Sequence, residues 1–415
     1  MGRRTAIVIG GGVIGVTSAY YLASDGWAVT LVERGEVCSG SSYGNAGLLV
    51  PSHVLPLAAP GVWWQGVKWM FKPDSPFYIQ PRVDPALWSW LWRFRAACHP
   101  DRARRAMPLI RELSVASLDL YRDLAKLDGL EFAFRESGSM IVFLTASGFE
   151  HGIQEARLFG EFGVPSKVLD GPAARSVEPA LRPDVVGGVL FPEDALLVPD
   201  RFVKGLARNI EALGVAVRQG TEVLRLRSSG DRVTAVETTR GSLAADTVVL
   251  AAGAWSPGIV RSLGFRLPIQ PAKGYSLTYR RPANGPNIPL LPAEGRFSIT
   301  PMGDLLRFGG TLELAGLDLS INQRRVEALR RRASQYIVDT ERLELLEIWR
   351  GLRPCTPDGL PLLGRSARYG NLIVAAGHAM VGMSLGPVTG KIVAQLATGA
   401  SPVTDIRLLD PRRFG

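Results

Sequence analysis

Apolar and polar positions along the chain follow two alternating periods. Thr5–Ile9 is a β-branched apolar run, as a strand buried on both faces requires. Val16, Ala19, Tyr20 and Ala23 then recur at helical spacing over Val13–Ser24, until Asp25-Gly26 ends the pattern. Ala28–Val32 is a second apolar run, completing one strand–helix–strand unit in about thirty residues. From about Ser39 to Pro85 the pattern is irregular and rich in Ser, Gly, Pro and Trp. Helical spacing returns over Pro85–Ala97, Pro108–Leu127, Phe149–Phe162 and Pro199–Leu213. Strands are expected at Gly138–Leu144, Val215–Gln219, Val223–Ser228, Arg232–Thr238 and Thr247–Ala251. Residues 265–315 alternate short runs with Pro/Gly turns, the habit of an antiparallel sheet. A basic helix is expected over Gln323–Thr340, followed by a strand at Leu372–Ala376, a glycine loop, and a helix at Pro387–Thr398.

The turn after the first strand reads Gly10-Gly11-Gly12-Val13-Ile14-Gly15. Gly10 permits the tight turn, Gly12 removes a side chain where backbone N–H groups must approach a pyrophosphate, and Gly15 lets helix pack on strand. The helix start, with Val13 and Ile14, adds partial positive charge. Glu33 ends the next strand, eighteen residues after Gly15. There it is placed to accept from ribose hydroxyls, which excludes a 2′-phosphate. The following segment, Cys38–Gly47, is dense in glycine and hydroxyl residues, which suits a second ligand region. It points to FAD, whose flavin end needs contacts that NAD does not.

Strand–glycine–helix material recurs near 247 and 372. The expected fold is therefore α/β: a Rossmann-like FAD-binding domain interleaved with an α+β substrate domain on a mainly antiparallel sheet. Residues 1–56, 196–262 and 347–415 are assigned to the first, and 57–195 and 263–346 to the second. Composition fits: 415 residues exceed what one core usually supports, and 46% hydrophobic with 21% charged residues is globular. The three cysteines and four histidines stand at no metal-ligand spacing, so no metal is expected. The net charge of +10 comes mostly from arginine, and the clusters at Arg102–Arg105 and Arg324–Arg332 lie on helical patterns and read as solvated faces. No nucleic-acid partner is expected. Glycines interrupt the apolar N-terminus, and nowhere do 18 apolar residues run together, so the reading is a reduced, cytoplasmic protein.

Glu33-Arg34, Ser41-Ser42 and Asn45-Ala46-Gly47 resemble the D-amino acid oxidase superfamily, and within it the bacterial D-amino acid dehydrogenases, including the D-hydroxyproline dehydrogenase branch. Further segments carry the resemblance along the chain. They are Ala59-Pro60-Gly61 with Lys68-Trp69-Met70-Phe71, Pro271–Ser276, Thr247–Ser256, Gly351–Pro361, and Gly377-His378 with Gly382–Gly386. The resemblance implies non-covalent FAD, contacted additionally by Leu48, Val223, Ala251, Ala252, Gly253, Trp255, Gly351, Gly377, His378, Gly382, Met383, Ser384 and Leu385. Amides at the start of the Pro387–Thr398 helix would stabilise negative charge on reduced flavin.

Arg353, in the Gly-Leu-Arg-Pro run, is then the residue that binds the substrate carboxylate, because a guanidinium offers bidentate, orienting contact. Arg350 competes for that role. Tyr275 donates to the same carboxylate or fills the core; His53 reaches the site mouth or does not; His378 contacts flavin or substrate. Cys355 does not match an attachment site for covalent flavin. No catalytic base is required if the amine arrives neutral. The implied reaction is oxidative deamination of a D-amino or cyclic D-imino acid by hydride transfer from Cα to flavin N5, with electrons passed to quinone or dye. An oxidase of glycine or sarcosine type is the nearest alternative, followed by a flavin-dependent tRNA-modifying enzyme and a non-enzymatic flavin scaffold. The aromatic segment with Trp63, Trp64, Trp69, Trp88, Trp90 and Trp92, interleaved with Lys68, Lys72, Arg93 and Arg95, reads as packing core. Its alternative is a peripheral contact on the inner face of the membrane.

Overall fold

A computed structural model describes residues 2–70 and 75–414. The opening strand, Thr5–Ile9, becomes the middle of a six-stranded sheet. Its order is Leu362–Arg365, Leu372–Ala376, Thr247–Leu250, Thr5–Ile9, Ala28–Val32 and Ala216–Arg218. All neighbours are parallel except the first pair. The β-branched run is buried on both faces for the reason its composition suggests. Ala6 and Val8 face the helices Val13–Ser24 and Gly386–Thr398, while Ile7 and Ile9 face a three-stranded antiparallel sheet built from residues 223–243. The two helices touch closely through glycine. A Cβ on Gly390 would fall 2.6 Å from the Thr17 backbone, and one on Gly386 2.6 Å from Val13 Cγ2. Core side chains here, such as Leu22 and Ile392, are fully buried, and truncating one to Ala would cost about 2–5 kcal/mol.

A nine-stranded, mainly antiparallel sheet forms the other half of the molecule. Its central strands are Leu345–Cys355, Gln270–Arg280, Leu305–Leu314 and Phe297–Met302, in that order. Register decides what each face carries, because alternate residues point to opposite sides. Tyr275, Leu277, Tyr279, Phe297, Ile299 and Phe308 form one apolar face, packed on Val326, Leu329 and Ala333 of the Gln323–Ala333 helix. The opposite face is small and polar: Gly274, Ser276 and Thr278, alongside Arg307 and Gly309, Ser298 and Thr300, and Trp349, Gly351 and Arg353. The Cys38–Gly47 segment rests on this second face; a Cβ on Gly309 would sit 3.5 Å from Ala46 Cβ.

Several element boundaries differ from expectation. Val62–Met70 is a helix inside the stretch read as irregular, its Trp and Gly content having masked the spacing. The next long helix starts at Pro100, not Pro108, because His99 caps it and the helix runs through Pro108. The basic helix stops at Ala333. The aromatic segment proves two-sided. Leu87, Trp90 and Phe94 are buried over Ala272 and Ala379, whereas Trp64, Trp88 and Trp92 are 66%, 58% and 67% exposed. Phe71 and Lys72 lie outside the described residues. Among the described residues no helix is long and apolar enough to cross a membrane, and no cluster of His, Cys, Asp and Glu could hold a metal.

Candidate active site

A cleft of about 430 Å³ runs between the six-stranded sheet and the polar face of the nine-stranded one, a size within the usual range for ligand pockets. Its first end is built by the strand–turn–helix unit. Gly10 is left-handed (φ 113°), and a Cβ there would meet Ala251 O at 2.5 Å, so the turn needs glycine for both reasons. A Cβ on Gly15 would fall 1.8 Å from Gly10 O, whereas one on Gly12 would meet only Ser42 Oγ, at 3.2 Å. Gly12 therefore opens space towards the cleft. The Glu33 carboxylate is fixed by N–H groups of Gly11 (2.7 Å) and Gly35 (2.9 Å). Arg34 stacks on Trp255 with its guanidinium 3.8 Å from the ring centroid. Ser42 Oγ accepts from Val13 N–H at 3.0 Å, joining the second segment to the helix start.

Of the residues singled out as cofactor contacts, the cleft wall contains Gly10, Gly12, Val13, Ile14, Glu33, Arg34, Ser41, Ser42, Asn45 and Val223. It also contains Ala251, Ala252, Gly253, Trp255, Gly351, Gly377, His378, Gly382 and Met383. Gly15, Ala46, Gly47, Leu48, Ser384 and Leu385 stand behind it. Gly15 holds the helix on the strand. Gly47 N–H donates to Asn45 Oδ1, while Ser384 Oγ donates to Leu48 O and accepts from Val50 N–H. These residues shape the wall without lining it. The wall reaches Met383, three residues before the helix that starts at Gly386. Sequence reasoning missed Trp349, which lines the cleft between two glycines: a Cβ on Gly44 or Gly351 would fall 1.8 or 1.9 Å from its ring.

Arg353 lies deep in the protein and keeps partial exposure, but it is not itself among the residues that line the cleft. Its strand neighbours Gly351, Leu352 and Pro354 line the cleft, and its guanidinium covers Gly274, where a Cβ would fall 1.9 Å from Nη1. Nη1 donates to Thr311 O (2.7 Å) and Nη2 to Gly310 O (3.5 Å). No carboxylate of the described residues is within ion-pair distance, and burial lowers the guanidinium's pKa. The first of those carbonyls is aimed by a β-bulge. Lys273 pairs with Glu313 but Tyr275 with Gly310, so one extra residue is inserted opposite Gly274. Thr311, in that bulge, is left-handed (φ 62°), an uncommon conformation for a β-branched residue. Its buried hydroxyl lacks a hydrogen-bond partner among the described residues.

The other candidates separate. Tyr275 is corrected: it points into the apolar core on the face opposite Arg353, and its hydroxyl accepts from Asn322 N–H at 3.2 Å. Arg350 shares Tyr275's side of the strand, and although it lines the cleft its Nε donates to Leu319 O. His378 lines the cleft, but its Nε2 lies 3.0 Å from Thr389 Oγ1 on the following helix. Burial pushes its pKa down to about 3, so the ring is neutral. His53 faces a smaller apolar crevice with Leu57, Met380 and Val381, which shares Ala379 with the cleft. His53 itself is exposed there. Cys355 is fully buried, its thiol pushed up to about 12 by burial.

The family described as FAD dependent oxidoreductase (DAO) matches residues 5–396. A D-amino acid dehydrogenase from Methylobacterium radiotolerans is 38% identical over 413 residues, spanning 95% of this chain and 96% of the relative. One from Bradyrhizobium diazoefficiens is 34% identical over 416 residues, covering 98% of both. Among solved structures, glycine oxidase from Geobacillus kaustophilus superposes with a TM-score of 0.81 at 25% identity, covering 100% of this chain and 99% of that one. L-proline dehydrogenase from P. horikoshii, at 21% identity and a TM-score of 0.77, shares the fold.

Proposed function

The chain belongs to the DAO family of FAD-dependent oxidoreductases, and from that premise we propose that it dehydrogenates D-amino acids. The observation that carries the reading is Arg353: a deep-lying cation with no carboxylate partner among the described residues, held by two backbone carbonyls beside the cleft. A buried charge left in that state is matched by an anionic ligand. With Nη1 and Nη2 each already bonded once, the fork keeps further N–H donors for a carboxylate. That the sequence relatives at 33–38% identity are D-amino acid dehydrogenases supports the D-amino acid as substrate.

The cleft chemistry suits FAD. Glu33 would hold the adenosine ribose, the Gly10–Gly15 turn the pyrophosphate, and Ser41, Asn45, Gly351, Gly377 and Gly382 the flavin end. When bound, FAD supplies the two-electron acceptor. Arg353 orients the substrate carboxylate, fixing which Cα–H faces the flavin, and the buried walls exclude water. His378 Nε2 is engaged by Thr389, and no catalytic base is required if the substrate amine arrives deprotonated. Loss of two electrons and two protons gives the imine, which water hydrolyses to the 2-oxo acid and ammonia, while an external quinone or dye takes the electrons. The outward Trp64, Trp88 and Trp92, with Lys68, Arg93 and Arg95, suit a peripheral membrane contact near that acceptor.

Anaerobic bleaching of bound flavin by a panel of D- and L-amino acids, with D-proline and cis-4-hydroxy-D-proline included, tests the substrate. Bleaching by L-amino acids alone, or by none, refutes the reading. Stoichiometric peroxide in air would replace the dehydrogenase with an oxidase, the activity named for the glycine oxidase structure.

A further inference from the structure

We propose that Arg307 is a positioning residue that holds the flavin end of the cleft at a fixed offset from the Arg353 carboxylate anchor. Arg307 is 3% exposed on the Leu305–Leu314 strand. Its Nε donates to Thr278 Oγ1 (3.1 Å), and its Nη1 donates to both Tyr43 O (2.8 Å) and Asn45 O (3.0 Å). No carboxylate of the described residues is within ion-pair distance. Burial lowers its pKa, with the fields of Glu347 and Asp200 opposing. A cation is thus buried on the polar face of the sheet to grip two carbonyls of one loop.

That loop carries much of the cleft wall. Asn45 lines the cleft, Trp349 lies against Gly44 between the two gripped carbonyls, and Ser42 accepts from the first helix at Val13. The same strand reaches the substrate anchor. Three and four residues beyond Arg307, about 10–13 Å along a strand, the carbonyls of Gly310 and Thr311 accept from Arg353. One rigid element therefore holds both parts, and its rise sets their separation. The planar fork of arginine meets two carbonyls and a hydroxyl at fixed angles, which the point charge of lysine does not reproduce. Small misplacements between reacting partners are expensive in rate, and they change binding much less.

The inference rests on the proposed dehydrogenation, and its test separates the two. Arg307→Met, Arg307→Lys and Thr278→Val holoenzymes are reduced anaerobically in stopped flow by the D-amino acid that bleaches the wild type best. FAD per chain and the visible circular dichroism of the flavin are measured alongside. Arg307→Met is expected to keep FAD and lower the limiting reduction rate about 10²-fold, with the apparent substrate dissociation constant moving less than about threefold. Arg307→Lys should recover about tenfold of the loss, and Thr278→Val should lose a few-fold. A wild-type limiting rate in Arg307→Met, a loss cured by saturating FAD, or a loss confined to substrate affinity overturns the proposal. Should Arg307→Met not fold, an unchanged limiting rate in Thr278→Val overturns it. If no D-amino acid reduces the wild type, the proposed function fails. The flavin dichroism then decides this inference, since an unaltered band in the variants counts against it.

Discussion

Lys273 and Arg353 are buried cations on neighbouring strands of one sheet, and they face opposite ways. Lys273 projects into the core face, where Asp318 Oδ2 lies 2.5 Å from its Nζ, Ser320 O 3.0 Å and Glu313 Oε2 3.7 Å. Asp318 is held down to about 2 by that contact. Arg353, beside strand neighbours that line the cleft, meets two carbonyls and no carboxylate among the described residues. The difference separates a charge that completes the fold from one that, in the proposed function, takes the substrate carboxylate. Removing a paired buried charge exposes its partner, which damages stability; removing an unpaired one beside a cavity damages binding.

The largest expected effect breaks the cleft side. Arg353→Leu should lower kcat/KM for the D-amino acid about 10²–10³-fold, mostly through KM, with FAD content unchanged. Normal kinetics would remove Arg353 from the site. On the core side, Lys273→Met should lower the unfolding free energy by about 3–5 kcal/mol in urea denaturation, because Glu313 and Asp318 lose their shared partner. The folded fraction should keep its KM, and a selective rise in KM would merge the two faces that the comparison separates. Tyr275→Phe is the milder core-side probe. Losing the acceptor for Asn322 N–H should cost about 1 kcal/mol, with KM changed under about twofold since a residue on the far face makes no contact that differs in the transition state.

Asp194 sharpens the comparison from a third position. It is a buried carboxyl bonded to neutral groups, away from the cleft: Ser52 N–H, Ser52 Oγ and Ser139 Oγ donate to it. Burial raises its pKa to about 6, from 3.8. Between those values the folded state binds more protons than the unfolded, so this group's contribution to stability falls as pH rises from about 4 to 6. Asp194→Asn should flatten that part of the Tm-against-pH curve without altering substrate reduction. An unchanged slope would show that Asp194 does not titrate there.

How much of this was legible in the sequence depended on distance along the chain. The Gly10–Gly15 turn and Glu33 lie within one short unit, so spacing alone fixed their arrangement. Arg353 was legible from its motif, but its isolation from carboxylates was not. Tyr275 falls on the face opposite Arg353 because it pairs with Arg350 on the neighbouring strand, a cross-strand register that residue types alone do not give. The Val62–Met70 helix hid in a stretch rich in Trp and Gly, with Trp64 exposed but Trp63 packed on the core. His378 sat at the expected wall, yet its ring turned to Thr389, a partner eleven residues away on a helix whose rotation the sequence does not specify. Arg307 carried no motif at all.

The strand order of the six-stranded sheet has a consequence for the time at which the enzyme becomes competent. Thr5–Ile9 leaves the ribosome some 240 residues before its neighbour Thr247–Leu250, and the helix that seals Val13 and Thr17 is Gly386–Thr398. At about 5–20 residues per second, the nascent dinucleotide turn waits tens of seconds for the segments that close over it. The opening unit therefore spends its early life without the partners that bury it, exposed to proteases and chaperones. Capture of the cofactor therefore waits until the Gly386–Thr398 helix has been made.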